Sequence, residues 1–320
     1  TLAVEPIYIL VDTAIVGRLG TPQLAGMAIA SIVLMNVVSI INFLEYITPD
    51  IAYAVGAGRP RDAHEAAGHG VWLSVLIGVP AAVLVAATAR PLCWLIGGRG
   101  DVLHYATQYL TISAVGLPAV VLAFLGHGVL RGHNDLRTPL RIVVIANVAN
   151  LLLEIITVYG LHWGVAGSAS STVVVQVGAA AAFVWRIRPH MVSVRPSWLA
   201  YQPLLAAGWH MVVRSVAMYS VWNVSVVIAA RLDAPTLAAY QVVTQLFMFL
   251  ALLLDSLAVP AHSLVAGYLG SGDREQAGRV GDISTRLALW SAGVLAVVLA
   301  VSAPWLPALF TNDHAVHTRL

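Results

Sequence analysis

The stretch Arg18-Leu19-Gly20-Thr21-Pro22-Gln23-Leu24-Ala25 returns 213 residues later as Arg231-Leu232-Asp233-Ala234-Pro235-Thr236-Leu237-Ala238. Two further matches fall at nearly the same spacing. Gly56-Ala57-Gly58 with Ala63 pairs with Gly270-Ser271-Gly272 with Ala277, and Pro91 pairs with Pro304. Three matches at one spacing mark an internal repeat. The residues between them set its kind. Val71–Ala89, Thr111–His127 and Leu287–Leu309 are apolar blocks near the length of about 20 residues that a helix needs to cross a bilayer core.

Composition agrees. The chain is 59% hydrophobic and only 10% charged, with a mean hydropathy of +0.84. Soluble domains carry about 25% charged residues, so this chain lacks the polar surface of a soluble enzyme. Helices are the expected spans, because lipid leaves backbone groups no partner outside a helix or a closed barrel, and a barrel would alternate polar and apolar residues. Cys93 stands alone, so no disulfide forms within the chain, and its apolar surroundings predict a packed thiol.

Charge and turn signals divide the chain into nine spans: 2–17, 23–55, 67–97, 103–130, 138–160, 164–186, 200–230, 235–268 and 282–310. All 17 basic residues are Arg. Loops after even-numbered spans hold Arg59, Arg61, Arg131, Arg137, Arg141, Arg186, Arg188, Arg195, Arg274 and Arg279. Loops after odd-numbered spans hold only Arg18, Arg99 and Arg231. The positive-inside rule puts the first set, and the start of the chain, on the cytoplasmic side.

Six spans separate the repeats, so both copies share one orientation, as parallel repeats about an axis along the membrane normal do. The expected organisation is an N-terminal lobe over residues 1–198 and a C-terminal lobe over 199–320. Thr1 aligns with Arg214, inside the seventh span. The expectation is therefore nine of twelve helices, with the first shortened and the last three missing.

Ionisable residues inside spans are costly, by at least about 2.5–3.5 kcal/mol, and are functional candidates. Asp12 lies in Tyr8-Ile9-Leu10-Val11-Asp12-Thr13-Ala14-Ile15-Val16, with no basic residue within reach on its helix. Its repeat equivalent is Ser225, so the acid belongs to one half only. In the fifth span Asn147, Asn150 and Glu154 share a helical face, and Thr172 of the sixth is a candidate fourth member. The plainer reading of such a stripe is polar glue between helices. The eighth span carries Gln241, Gln245, Asp255 and His262 on one face. Arg214 is a possible partner for Asp255 or Asp12. Tyr219, Asn147, Arg214, Gln241, Gln245 and Asp255 are substrate-cavity candidates. Glu45 and Asp50 flank Pro49 without a clear role, and Pro6 predicts a bend in the first helix. The other histidines fall mostly near span ends and read as interfacial. No Walker loop, metal-ligand spacing or nucleophile arrangement stands out, so neither an enzyme nor a cofactor is expected.

These residues resemble a known family. Glu5-Pro6 with Leu10 through Gly20 looks like the first helix and loop of the multidrug and toxic compound extrusion (MATE) transporters, nearest their DinF-like branch. Leu130-Arg131-Gly132 with Asp135, Arg137, Thr138 and Pro139 is similar to the loop between the fourth and fifth spans. Asn150, Glu154 and Tyr159-Gly160, then Gly164-Val165-Ala166-Gly167-Ser168-Ala169 with Thr172, resemble the fifth and sixth helices. Arg214-Ser215 and Leu254-Asp255-Ser256 are also like that branch. Glu154 stands where the family usually has Asp or Asn, and Met218 where some members carry an acid.

The resemblance implies a pseudo-symmetric two-lobe, all-helical fold of twelve helices in the plasma (inner) membrane. It implies export of drugs or amphipathic organic cations in exchange for H+ or Na+. Asp12, Asn150, Glu154 and Thr172 match the coupling residues, with Na+ expected at Asp12, Asn150 and Glu154 if sodium is the ion. No nucleic-acid partner is expected, and a monomer is. The alternatives are a lipid-linked precursor flippase of similar architecture, or an inactive remnant.

Overall fold

The computed structural model describes residues 12, 15–42, 47–192, 194–196, 198–232 and 234–302. These residues form helices and contain no strand. We number the helices α1 (Thr21–Ile41), α2 (Ile47–Gly56), α3 (Pro60–Leu95), α4 (Gly100–Ala114), α5 (Leu117–Gly132), α6 (Arg137–Ile155), α7 (Gly164–Ile187), α8 (Trp198–Leu232), α9 (Ala234–Gly270) and α10 (Arg274–Ser302). A π-helical turn, Ile156–Gly160, extends α6, and a 3-10 turn, Arg188–His190, ends α7. Six helices are long and apolar enough to cross a membrane, or seven if the bent pair α4–α5 counts as one. Leu289 and Trp290 are 68% and 75% exposed, as suits side chains that face lipid. The protein is a multi-pass membrane protein.

Two expected spans are not single helices. Span 23–55 consists of α1 and α2, with residues 43–46 outside the described set. Span 103–130 bends by 49° between α4 and α5. Pro118 is the cause: it has no N–H, and its ring clashes with the carbonyl four residues earlier. That residue is Ala114, where α4 ends. Of the first span, only Asp12 and residues 15–17 are described, so the bend expected at Pro6 lies outside, as does Glu45.

The helices of the first repeat pack around two apolar clusters. One joins Val16, Met27 and Val33 with Cys93, Leu110 and Ala169. Cys93 is buried and free, as expected. The other lies at the arginine-rich end and joins Ile51, Ala63, Ala67, Val129, Leu130, Phe183 and Ile187. Small residues let backbones approach, which drives helix association in lipid. A Cβ on Gly26 would meet Tyr105 Cβ at 2.7 Å and the Ala106 amide nitrogen at 2.8 Å.

At 1.5 Å per residue, the 36 residues of α3 outrun the bilayer core, and its polar start extends into water. The exposed pair Arg61–Glu65, at 3.0 Å, sits there. The repeat keeps this feature in α10 with the signs exchanged, as Glu275–Arg279. Before α6, Asp135 accepts bonds from the amides of Arg137 and Thr138, at 3.2 and 2.9 Å. Partial burial pushes its carboxyl up. The bonds from Thr138 and Arg137, with the nearby Arg186 guanidinium, outweigh burial and hold it below the ordinary 3.8.

The two repeats meet at the arginine-rich end, where α2 lies against α9. A Cβ on Gly56 would collide with the Gly267 carbonyl, and one on Gly270 with that of Tyr53. Gly56 and Gly270 are repeat equivalents, so the crossing is near-symmetric. Beside it, Ser263 of α9 donates to the Arg131 carbonyl at 2.9 Å and lies 3.5 Å from Asn134 Oδ1. Farther along the spans, Ser39 and Tyr219 share a hydrogen bond of 2.7 Å.

Two outcomes follow from this packing. Gly26→Ala should lower stability by about 1–3 kcal/mol through overpacking. Gly278→Ala, where an added methyl meets nothing within 4 Å, should be neutral or raise it by up to about 1 kcal/mol. Thermal unfolding in detergent checks both. Asn134→Cys with Ser263→Cys should cross-link under mild oxidation, and adding Gly56→Leu should reduce the cross-linked fraction, read as a gel shift.

Candidate ion-coupling site

The first helix, α6 and α7 bring the polar residues of the N-terminal lobe together. Asp12 is 4% exposed, Asn150 3% and Glu154 1%. Ser168, wholly buried, donates its hydroxyl to Asp12 Oδ1 at 2.9 Å. The Glu154 carboxyl lies beside both Asp12 and Ser168. Thr172 donates to the Ser168 carbonyl at 3.1 Å, and its oxygen accepts from Asn150 Nδ2 at 3.2 Å. That bond fixes the amide, so Asn150 Oδ1 is the acceptor left over. Among the described residues, Asn150 Oδ1 and Glu154 Oε1 are buried and meet no hydrogen-bond donor.

Local chain geometry holds these groups in place. Asn150 and Glu154 are four residues apart on α6, hence on one face. Glu154 sits one residue before the helix end, where the π turn begins; such turns are frequent at functional sites. Thr157, in that turn, donates to the Gly167 carbonyl at 3.0 Å and ties the turn to α7. Tyr159 donates to the Ile15 carbonyl at 3.0 Å and ties it to the first helix.

Two carboxyls, an amide oxygen and hydroxyl oxygens gather in one buried, oxygen-rich pocket. Charge buried without a partner is strongly unfavourable, and like charges disfavour each other. Such a pocket suits one small cation: a proton shared by the carboxyls, or a hard metal ion such as Na+.

Asp12, Asn150, Glu154 and Thr172 thus converge. Asn147, one turn earlier on α6, is half-buried and makes no hydrogen bond among the described residues. Arg214 on α8 and Asp255 on α9 are exposed and form no ion pair with each other; the bond Asp12 makes is to Ser168, not Arg214. Tyr219 meets Ser39. The side chains of Gln241 and Gln245 lie outside the described set, and His262 is exposed. Ser168 and Tyr159 were not among the expected site residues. For Ser168 the signal was its place one turn before Thr172, on the same face of α7.

The MatE family model matches residues 1–156 and 211–319, one stretch in each repeat. The chain belongs to the MatE family. It is 29% identical to Protein DETOXIFICATION 44, chloroplastic, of Arabidopsis thaliana over 98% of its length and 63% of that protein's. It is 28% identical to DNA damage-inducible protein F of Escherichia coli (strain K12), over 81% of the chain and 59% of the relative. It therefore spans about three fifths of these relatives. A solved MATE structure in the bent conformation superposes with a TM-score of 0.87 at 20% identity, over 97% of this chain and 71% of that one. An outward-facing multidrug resistance MATE family transporter of the MOP superfamily gives 0.85 at 20%, over 99% and 73%. At that identity the likeness is one of fold, here the two-lobe MATE architecture.

Ser168→Ala should cost about 1–3 kcal/mol, the range for leaving a buried acceptor without its donor, read as a lower unfolding temperature in detergent. Ser220→Ala, which removes only an exposed bond within α8, should leave it almost unchanged.

Proposed function

We propose that this MatE protein is a secondary antiporter that exports amphipathic organic cations in exchange for H+ or Na+. The observation that carries this reading is the buried Asp12–Glu154 carboxyl pair, with the Ser168 hydroxyl on Asp12 and the open oxygens of Asn150 and Glu154 beside it. MatE family membership and the likeness to multidrug resistance transporters support it.

The mechanism follows from charge. When the pair is loaded with a cation, its negative charge is offset and the first helix, α6 and α7 can close around it. When unloaded, the carboxyls repel, and the lobe favours a state that admits a positively charged substrate or a new ion. Exchange requires only that each ligand bind one lobe state better than the other. On the positive-inside reading, the closed contact between α2 and α9 faces the cytoplasm. The structure then corresponds to a form open toward the outside, where the coupling ion enters and substrate leaves. The Tyr159 bond to Ile15 and the Thr157 bond to Gly167 transmit a shift at Glu154 to the first helix and α7.

The test is efflux of a fluorescent organic cation from proteoliposomes under imposed pH or sodium gradients in turn. Asp12→Asn should abolish gradient-driven efflux while the unfolding temperature stays near that of the wild type, and Glu154→Gln should reduce efflux at least about tenfold, equivalent to about 1.4 kcal/mol of barrier. Transport that survives Asp12→Asn unchanged would sink the mechanism.

A further inference from the structure

At the arginine-rich end, away from the carboxyl pocket, His64, His133 and His190 converge. One ring nitrogen of each lies within 4.8 Å of the other two. The ring centroids of His133 and His190 are 4.2 Å apart, those of His64 and His190 6.1 Å, and those of His64 and His133 6.3 Å. The residues are 69 and 57 positions apart in sequence and come from three elements: the first turns of α3, the residue after α5, and the 3-10 turn that ends α7.

We propose that His64, His133 and His190 form a binding site for a late first-row transition-metal ion of the zinc class. Imidazole suits Zn2+, Co2+, Ni2+ and Cu2+ far better than hard cations such as Mg2+. Three protein nitrogens leave the fourth tetrahedral position to water or an exchangeable ligand. All three histidines are half-buried, so the ion reaches them from solution.

Three observations support a built site over chance neighbours. First, His133 Nδ1 bonds the Val129 carbonyl at 2.9 Å. That bond makes Nδ1 the protonated nitrogen and leaves Nε2 with a free lone pair; backbone carbonyls hold metal-bound histidines in the same way. Among the described residues, the imidazoles of His64 and His190 have no hydrogen-bond partner. Second, the backbones beneath are fixed. Val192 donates its amide to the His64 carbonyl at 3.2 Å, and Trp72 Nε1 donates to the Val194 carbonyl at 3.1 Å, so the segment after α7 is strapped to α3. Ala63, Leu130 and Ile187 below the cluster belong to one apolar core. Third, the gap is small. Nitrogens about 2.0–2.1 Å from a tetrahedral Zn2+ stand about 3.4 Å apart, which rotation of the rings reaches from the present spacing.

A bound ion would join the ends of α3, α5 and α7. The α5 end is also where Ser263 of α9 reaches the Arg131 carbonyl. The ion would therefore brace the N-terminal lobe beside its contact with the second repeat.

The test uses protein purified with a histidine-free tag and stripped with chelator. Titration with Co2+ should develop the visible bands of a tetrahedral site at one equivalent, and Zn2+ should displace them. Zn2+, but not Mg2+, should raise the unfolding temperature. His64→Gln, His133→Gln and His190→Gln should each weaken Zn2+ binding by at least about 10–100-fold, while His104→Gln leaves it unchanged. His64→Cys should retain Co2+ and add a sulfur-to-metal band in the near ultraviolet, a signature that a merely structural histidine would not give. Absence of one-equivalent binding in the wild type, or binding undiminished in all three Gln variants, would overturn the proposal.

Discussion

Two carboxyls placed where lipid and helices surround them constrain the N-terminal lobe. Asp12 and Glu154 are each less than 5% exposed, and a bare charge there is opposed by several kcal/mol. The neighbouring structure reads as an answer to that constraint. Ser168 donates to Asp12, Thr172 orients Asn150, and the π turn carries Glu154 to the place where α6 leaves its regular path. Without these groups the acids would be a liability; with them, each acid lies among polar neighbours.

The helices that hold this pocket associate by close fit. Among lipid tails, apolar surface alone gives little reason for helices to meet. Contacts such as Gly26 on Tyr105, or Gly167 within 3.0 Å of the Thr157 backbone for an added methyl, replace hydrophobic drive with van der Waals contact at short range. The same economy of side chains appears at the crossing of the repeats. There both backbones come together at glycines that occupy equivalent positions.

Much of this was legible in the sequence, for physical reasons that differ by element. The spans were readable because lipid demands long apolar runs, and the repeat because turn residues recur at fixed spacing. Asp12 was readable as a buried acid in need of a partner, because an ionisable group among aliphatics is costly. The break at Pro118 was not, since the apolar run continues unbroken through it and membrane helices tolerate proline. Ser168 sits in a run of Gly, Ala and Ser that looks like packing alone, so its role emerged only once α7 was set against the first helix. The histidine trio had no local signature at all: three residues far apart in sequence become neighbours only through the ends of three helices.

The glycine crossing of α2 and α9 carries a consequence for motion. Its core is backbone against backbone, and dispersion fades steeply: an extra gap of 0.5–1 Å forfeits about a quarter to a half of the well. Such a seam gives no graded resistance as it parts. Most of its attraction is lost over the first ångströms of parting. It acts like a snap fastener more than a spring.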